Sequence, residues 1–118
     1  MIKGSLSDVN VLLIEDDEDD YVLTLDYLES IANFNFNLVW HSQYNQALEA
    51  LESNEYDLCL LDYQLGPKTG LSILKEAKAR DVHTPIIMLT GQSDAVLDDE
   101  ALKAGAEDFV LKSEIGSV

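Results

Sequence analysis

The chain has a single cysteine, two prolines and one tryptophan in 118 residues, and only seven basic residues against 23 acidic ones. One cysteine rules out a disulfide scaffold. Cys59 lies inside an apolar run, which leads us to expect a reducing, cytoplasmic setting. No apolar run approaches the length needed to cross a bilayer, and residues 1–5 lack the apolar stretch of a signal peptide. The formal charge of −16 argues against direct binding to nucleic acid or to an anionic membrane, since both partners are polyanions. Proline and glycine are sparse, and no linker, repeat or low-complexity segment divides the sequence. A hydrophobic fraction of 47% in a chain of this length fits one globular domain with a core of its own.

What is present alternates. Short apolar runs over 9–14, 36–40, 58–61, 85–89 and 109–111 read as strands, and near-continuous aliphatic character marks strands buried on both faces. The run at 36–40, interrupted by Asn37, is the weakest. Between the runs lie helical spacings: Tyr21, Leu25, Leu28 and Ala32; Tyr44, Ala47, Leu48 and Leu51; Leu71, Leu74, Ala77 and Lys78; Leu97, Ala101 and Ala104. Gly70 and Gly105 fall where helices would start or stop. The alternation predicts an α/β fold, a doubly wound five-stranded parallel sheet with helices on both faces. In such sheets functional groups gather beyond the carboxyl ends of the strands.

Polar residues stand at those ends. The first run passes into six consecutive acids, Glu15 to Asp20. The third run ends in Asp62, the fourth in Thr90 and the fifth in Lys112. His41 and Ser42, after the second run, are discounted. Three converging carboxylates would raise one another's pKa without a cation. An oxygen-rich cluster of this kind suits Mg²⁺, or Mn²⁺ in its place. Lys112 offers a mobile charge for a phosphoryl group, Thr90 a hydroxyl, and a carboxylate beside a metal can attack phosphorus. Asp17 to Asp20 are expected to open the next helix, where carboxylates complement the positive dipole end.

The stretches "VLLIEDD", "DLCLLDYQLGPKTG", "PIIMLTG" and "GAEDFVLK", in that order and with 22 residues from Thr90 to Lys112, resemble the receiver domain of two-component response regulators over almost the whole chain. The resemblance implies the flavodoxin-like strand order 2-1-3-4-5 and a phosphoryl group accepted on Asp62 from a histidine kinase or histidine phosphotransfer protein. It implies Asp16 as a direct Mg²⁺ ligand, Glu15 acting through water, and the backbone carbonyl of Gln64 as a further ligand. Lys112 would pair with the phosphoryl oxygens, and Thr90 would swing toward them. Phe109 would move inward as the aromatic switch, coupling the fourth helix and fifth strand to a downstream effector. Gln64 and Gln92 hold positions that, in that family, adjust acyl phosphate lifetime. A homodimer is left open.

The sequence departs from the pattern in three places. Gly66 stands where proline usually follows the aspartate by four, with Pro67 one later. Ser113 replaces the proline after the lysine, so a trans bond is expected there. The usual fifth helix is missing or truncated, which leads us to expect that 1–118 is an N-terminal receiver piece of a longer protein. Simpler readings are Phe109 as a core aromatic, Cys59 as a small buried hydrophobe, and His41 and His83 as exposed. Among rival functions, an aspartate-nucleophile phosphatase or phosphotransferase of the haloacid dehalogenase type would carry an acid where Gln64 stands. A flavodoxin-like cofactor binder would be repelled by "EDDEDD". A non-phosphorylated docking receiver would be expected to lack Asp62 or Lys112.

Overall fold

The computed structural model describes residues 7–91 and 95–114. Its elements in chain order are β1 (Ser7–Ile14), α1 (Glu18–Glu29), β2 (Phe34–His41), α2 (Tyr44–Glu52), β3 (Leu58–Asp62), the hairpin arms β4 (Gln64–Leu65) and β5 (Lys68–Thr69), α3 (Gly70–Ala79), β6 (Ile86–Thr90), α4 (Ala95–Lys103) and β7 (Asp108–Leu111). A three-residue 3₁₀ turn, Lys112–Glu114, follows β7. The main sheet runs β2-β1-β3-β6-β7, all parallel. With the hairpin set aside, this is the expected order 2-1-3-4-5. The described residues contain four α-helices, none of them long and apolar enough to cross a membrane.

Period-two alternation sends each strand's side chains to two cores. On one face, Leu12, Ile14, Cys59, Leu61, Ile86 and Met88 pack against α2, α3 and α4. Fully burying side chains such as Leu51 and Leu74, which keep almost no exposed surface, contributes about 1.5–3 kcal/mol each. On the other face Val11, Leu13, Leu60 and Leu89 pack against α1 through Leu28. Beside α1, a groove of about 270 Å³ stays open over Leu60, Ile87, Leu89 and Val110.

The second strand is longer than its apolar run because β1 pairs with it along its entire length, from Ser7 opposite Phe34 to Ile14 opposite His41. Its asparagines are satisfied across the ladder: Asn35 donates to Asp8 Oδ1 (2.8 Å) and Asn37 to Asn10 Oδ1 (3.1 Å). The first helix is shorter than its spacing suggested, and Ala32 lies outside it. Ser30 caps it by donating its hydroxyl to the Tyr27 carbonyl (2.6 Å), and Asn33 turns the chain with φ +75°. Ala104 likewise falls one residue beyond α4, while Gly105 supplies the positive φ of +111° that ends it. Cys59 is fully buried and its burial pushes the thiol pKa up, which makes it an inert core residue. His83 is exposed as expected, but His41 is half-buried because it closes the β1–β2 ladder.

Candidate functional site

Asp62 reaches the sheet edge because β3 is held on both sides. Leu61 pairs with Ile14 of β1, and Asp62 pairs with Leu89 of β6. The aspartate itself is buried, at 3% exposure. Its next contact comes from α3: an added Cβ on Gly70 would lie 2.1 Å from the Asp62 carbonyl oxygen, so only glycine permits this approach. The Gly70 amide donates to the Tyr63 carbonyl at 2.6 Å, and Thr69 caps the helix by accepting from the Ser72 amide.

Glu15 and Asp16 leave the end of β1. Glu15 has no exposed surface, whereas Asp16 faces solvent. The carboxylate oxygens of Glu15, Asp16 and Asp62 can all lie within 4.8 Å of one another. The discounted end of β2 fixes Glu15's backbone. The His41 carbonyl accepts the Glu15 amide (3.1 Å), and the Trp40 indole donates to the Glu15 carbonyl (2.7 Å). Trp40 is itself held by Tyr21, stacked on it at 4.4 Å. Sequence reasoning missed this clamp; the signal was a tryptophan at the penultimate position of a strand beside the acidic one.

Asp17 caps α1 by accepting from the Asp19 amide (2.8 Å), and Glu18, Asp19 and Asp20 form the first turn, as expected for a helix start. Asp20 has a second role that the sequence reading did not assign. Its Oδ2 lies 2.6 Å from Lys112 Nζ, which also lies 2.9 Å from Glu15 Oε1 and 3.0 Å from Asp62 Oδ2. Helical spacing carried the signal: Asp20, Thr24 and Leu28 form an i, i+4, i+8 stripe, and Thr24 and Leu28 are the helix's buried residues.

The electrostatics follow from this packing. Burial pushes the Glu15 carboxyl up to about 8, helped by hydrogen bonding and repulsion from Asp62 and opposed by Lys112. Burial alone would lower the Lys112 pKa, but its bonds to Asp20, Glu15 and Asp62 outweigh that and raise it, so the ammonium is held charged.

Thr90 ends β6 with its hydroxyl buried and unpartnered among the described residues. It bonds neither Asp62 nor Lys112 in this state. Phe109 is half-buried against the core shared by α2, α3 and α4. The Gln64 amide points to Asp62 Oδ1 at 3.4 Å, and the Gln64 side chain is exposed. Gly66 takes φ +66° in the hairpin turn, which places it close to Asp16 Oδ2. Leu65 is buried and Lys68 sits over the Tyr44 ring, tying the hairpin to α2. No peptide bond among the described residues is cis, including that between Lys112 and Ser113. Gln92 lies outside the described residues.

Three carboxylates, two of them buried, and one pushed toward its protonated form by burial, suit a hard divalent cation. The residues fit Mg²⁺. A doubly wound parallel sheet brings this set to one edge, together with a lysine. The chain belongs to the response regulator receiver domain family, whose model matches residues 11–116.

Its similarity to curated proteins includes Regulatory protein VanR of Enterococcus faecium, at 36% identity over 103 residues, covering 86% of this chain and 42% of that protein. Transcriptional regulatory protein ZraR of Escherichia coli (strain K12) is 31% identical over 101 residues, covering 86% of this chain and 22% of that protein. The chain thus spans under half the length of either relative. Two solved structures share the fold. The Francisella response regulator 1452 receiver domain aligns with TM-score 0.76 and 24% identity, covering 89% of this chain and 84% of that one. The BeF3-activated N-terminal receiver domain of Klebsiella pneumoniae RstA aligns with TM-score 0.74 and 24% identity, covering 88% and 86%.

Proposed function

We propose that this receiver domain is a phosphoacceptor switch in which Asp62 takes a phosphoryl group from the phosphohistidine of a sensor kinase or a histidine phosphotransfer protein. The observation that carries the reading is the buried Asp62 carboxylate, 3.0 Å from an ammonium and clustered with Glu15 and Asp16. An Asp62 oxygen attacks phosphorus as the P–N bond breaks, and that electron pair returns to the imidazole, which keeps or takes up a proton. Lys112 stays charged through the step and bonds the phosphoryl oxygens, and the unpartnered Thr90 hydroxyl turns to them as a second donor. Phe109 follows Thr90 into the space it leaves, and the face formed by α4 and β7 carries the signal to an effector.

Glu15, Asp16, Asp62 and the Gln64 carbonyl would hold the cation. When bound, Mg²⁺ or Mn²⁺ neutralises charge on the transferring group. In this reading the chain is a signalling domain that catalyses only its own phosphorylation and dephosphorylation. It acts in the cytoplasm and touches neither nucleic acid nor membrane itself. A phosphatase acting on external substrates is disfavoured because the exposed Gln64 amide cannot serve as a general acid.

Labelling by acetyl phosphate in Mg²⁺ tests the assignment. Wild-type protein should incorporate one phosphoryl group per chain, and Asp62→Asn, isosteric and still folded, should incorporate none. Equal labelling of that variant would refute Asp62 as the acceptor.

A further inference from the structure

Three carboxylates lie within 3.0 Å of the Lys112 ammonium, Asp20, Glu15 and Asp62, and of these Asp20 is the one that accepts a hydrogen bond from it. Two of these belong to the acidic cluster at the strand ends. Asp20 does not, yet it makes the shortest of the three contacts, at 2.6 Å. It approaches from the first turn of α1, 92 residues away in the chain. The Thr24 hydroxyl donates to the Asp20 backbone carbonyl at 2.8 Å, and Thr24 is buried, so this part of the helix is fixed against the sheet.

We infer that Asp20 is a positioning residue: it restrains Lys112 in the unphosphorylated domain and must give the ammonium up when a phosphoryl group sits on Asp62. The inference rests on the proposed phosphoacceptor reading and adds a regulatory residue to it. A phosphoryl group brings up to two negative charges and three acceptor oxygens, and an ammonium hydrogen-bonded to Asp20 and flanked by two more carboxylates turns to them only by loosening that bond. Glu15 and Asp62 contacts are the ones the cation pocket would reorganise. The Asp20 contact serves Lys112 alone, so its strength sets how readily the anion is accepted. Asp20 also bridges α1 to the end of β7, so its release couples the filled site to that edge of the sheet.

Beryllofluoride binding in saturating Mg²⁺, followed by ¹⁹F NMR, provides the test. Asp20→Asn keeps the shape and removes the charge; Asp20→Ala removes both. Each should bind beryllofluoride about three- to five-fold more tightly than wild type, the scale of losing one partly exposed ion pair. In a Lys112→Ala background the Asp20→Asn gain should vanish. Thermal unfolding in EDTA gives a second reading: Asp20→Asn should lower the melting temperature when Lys112 is present, and raise it or leave it unchanged when Lys112 is alanine.

Unchanged or weaker binding in both Asp20 variants would overturn the inference while leaving the phosphoacceptor reading standing. A gain that persists without Lys112 would also overturn it, because Asp20 would then act only as a bare charge. Wild-type protein that ignores beryllofluoride would overturn the reading and the inference together.

Discussion

Gly70→Ala sets two physical effects against each other, and the structure decides between them. Gly70 is the first residue of α3. Helix propensity alone predicts that alanine should stabilise, by up to about 1 kcal/mol. The contacts predict the opposite. A Cβ at Gly70 would stand 2.1 Å from the Asp62 carbonyl oxygen, 3.0 Å from the carbonyl carbon and 3.2 Å from Leu61 Cγ, where ordinary contact begins at 3.4 Å. Neither side can yield easily. Leu61 and Asp62 are paired into the sheet centre, and Ile73, Leu74 and Ala77 pin α3 with no exposed surface. Overpacking of this kind costs about 1–3 kcal/mol, which for a domain of this size lowers the melting temperature by roughly 5–15 °C. The displaced element carries Asp62, and a misplacement of about 1 Å can slow a positioned reaction about 100-fold. Thermal melts should therefore show a drop, and acetyl phosphate labelling at a temperature where the variant is folded should be slowed at least ten-fold, a conservative part of that range. An alanine variant as stable as wild type, labelling at the same rate, would refute the argument that this glycine positions the aspartate.

Two further perturbations test the site's electrostatics and its backbone clamp. Folded protein keeps the Glu15 proton up to about pH 8, while the unfolded chain releases it near the ordinary 4.5. The unfolded state thus binds fewer protons in that window, and metal-free stability falls as pH rises from 4.5 to 8. Urea midpoints in EDTA should decline over this range, and Glu15→Gln should flatten the decline; an equally steep fall in the variant would exclude Glu15 as its source. Trp40→Phe removes the hydrogen bond to the Glu15 carbonyl and weakens the stack on Tyr21, so a loss of about 1–2 kcal/mol is expected. Mg²⁺ titrated by calorimetry should bind this variant several-fold more weakly, and an unaltered affinity would count against a role for β2 in holding Glu15.

Sheet order and the edge that carries chemistry were legible because each parallel strand is a short aliphatic run ending in a polar residue, as in the step from Leu61 to Asp62. The ends of elements were less legible. Ala32 carries an apolar side chain at helical spacing, yet Ser30 and Asn33 satisfy the backbone locally and stop the helix three residues earlier. Phe34 and Asn35 join β2 because β1 offers partners as far back as Ser7, a tertiary cause that no run of residues contains. At the site, strand ends led to Glu15, Asp16, Asp62, Thr90 and Lys112. What was overlooked were contacts arriving from the side: Trp40 from the neighbouring strand, Asp20 turning to Lys112 from the packed helix, and the close approach of Gly70, read only as a helix start, to the Asp62 carbonyl.

The run of six acids illustrates how one composition serves several physical ends. Glu15 and Asp16 cluster with Asp62, Asp17 caps the helix, Glu18 and Asp19 face solvent beside its positive end, and Asp20 turns inward to Lys112. The pocket consequently holds four carboxylates, three of them in contact with its one ammonium, so a phosphoryl group arriving there would meet a surplus of negative charge. Two means of relief exist in these residues: a proton on Glu15, or a cation among the oxygens. The proton removes one negative charge, whereas a divalent ion removes two and sets positive charge among the oxygens where the anion must approach. In the proposed reading, dependence on a hard cation therefore follows from the arrangement of charges itself.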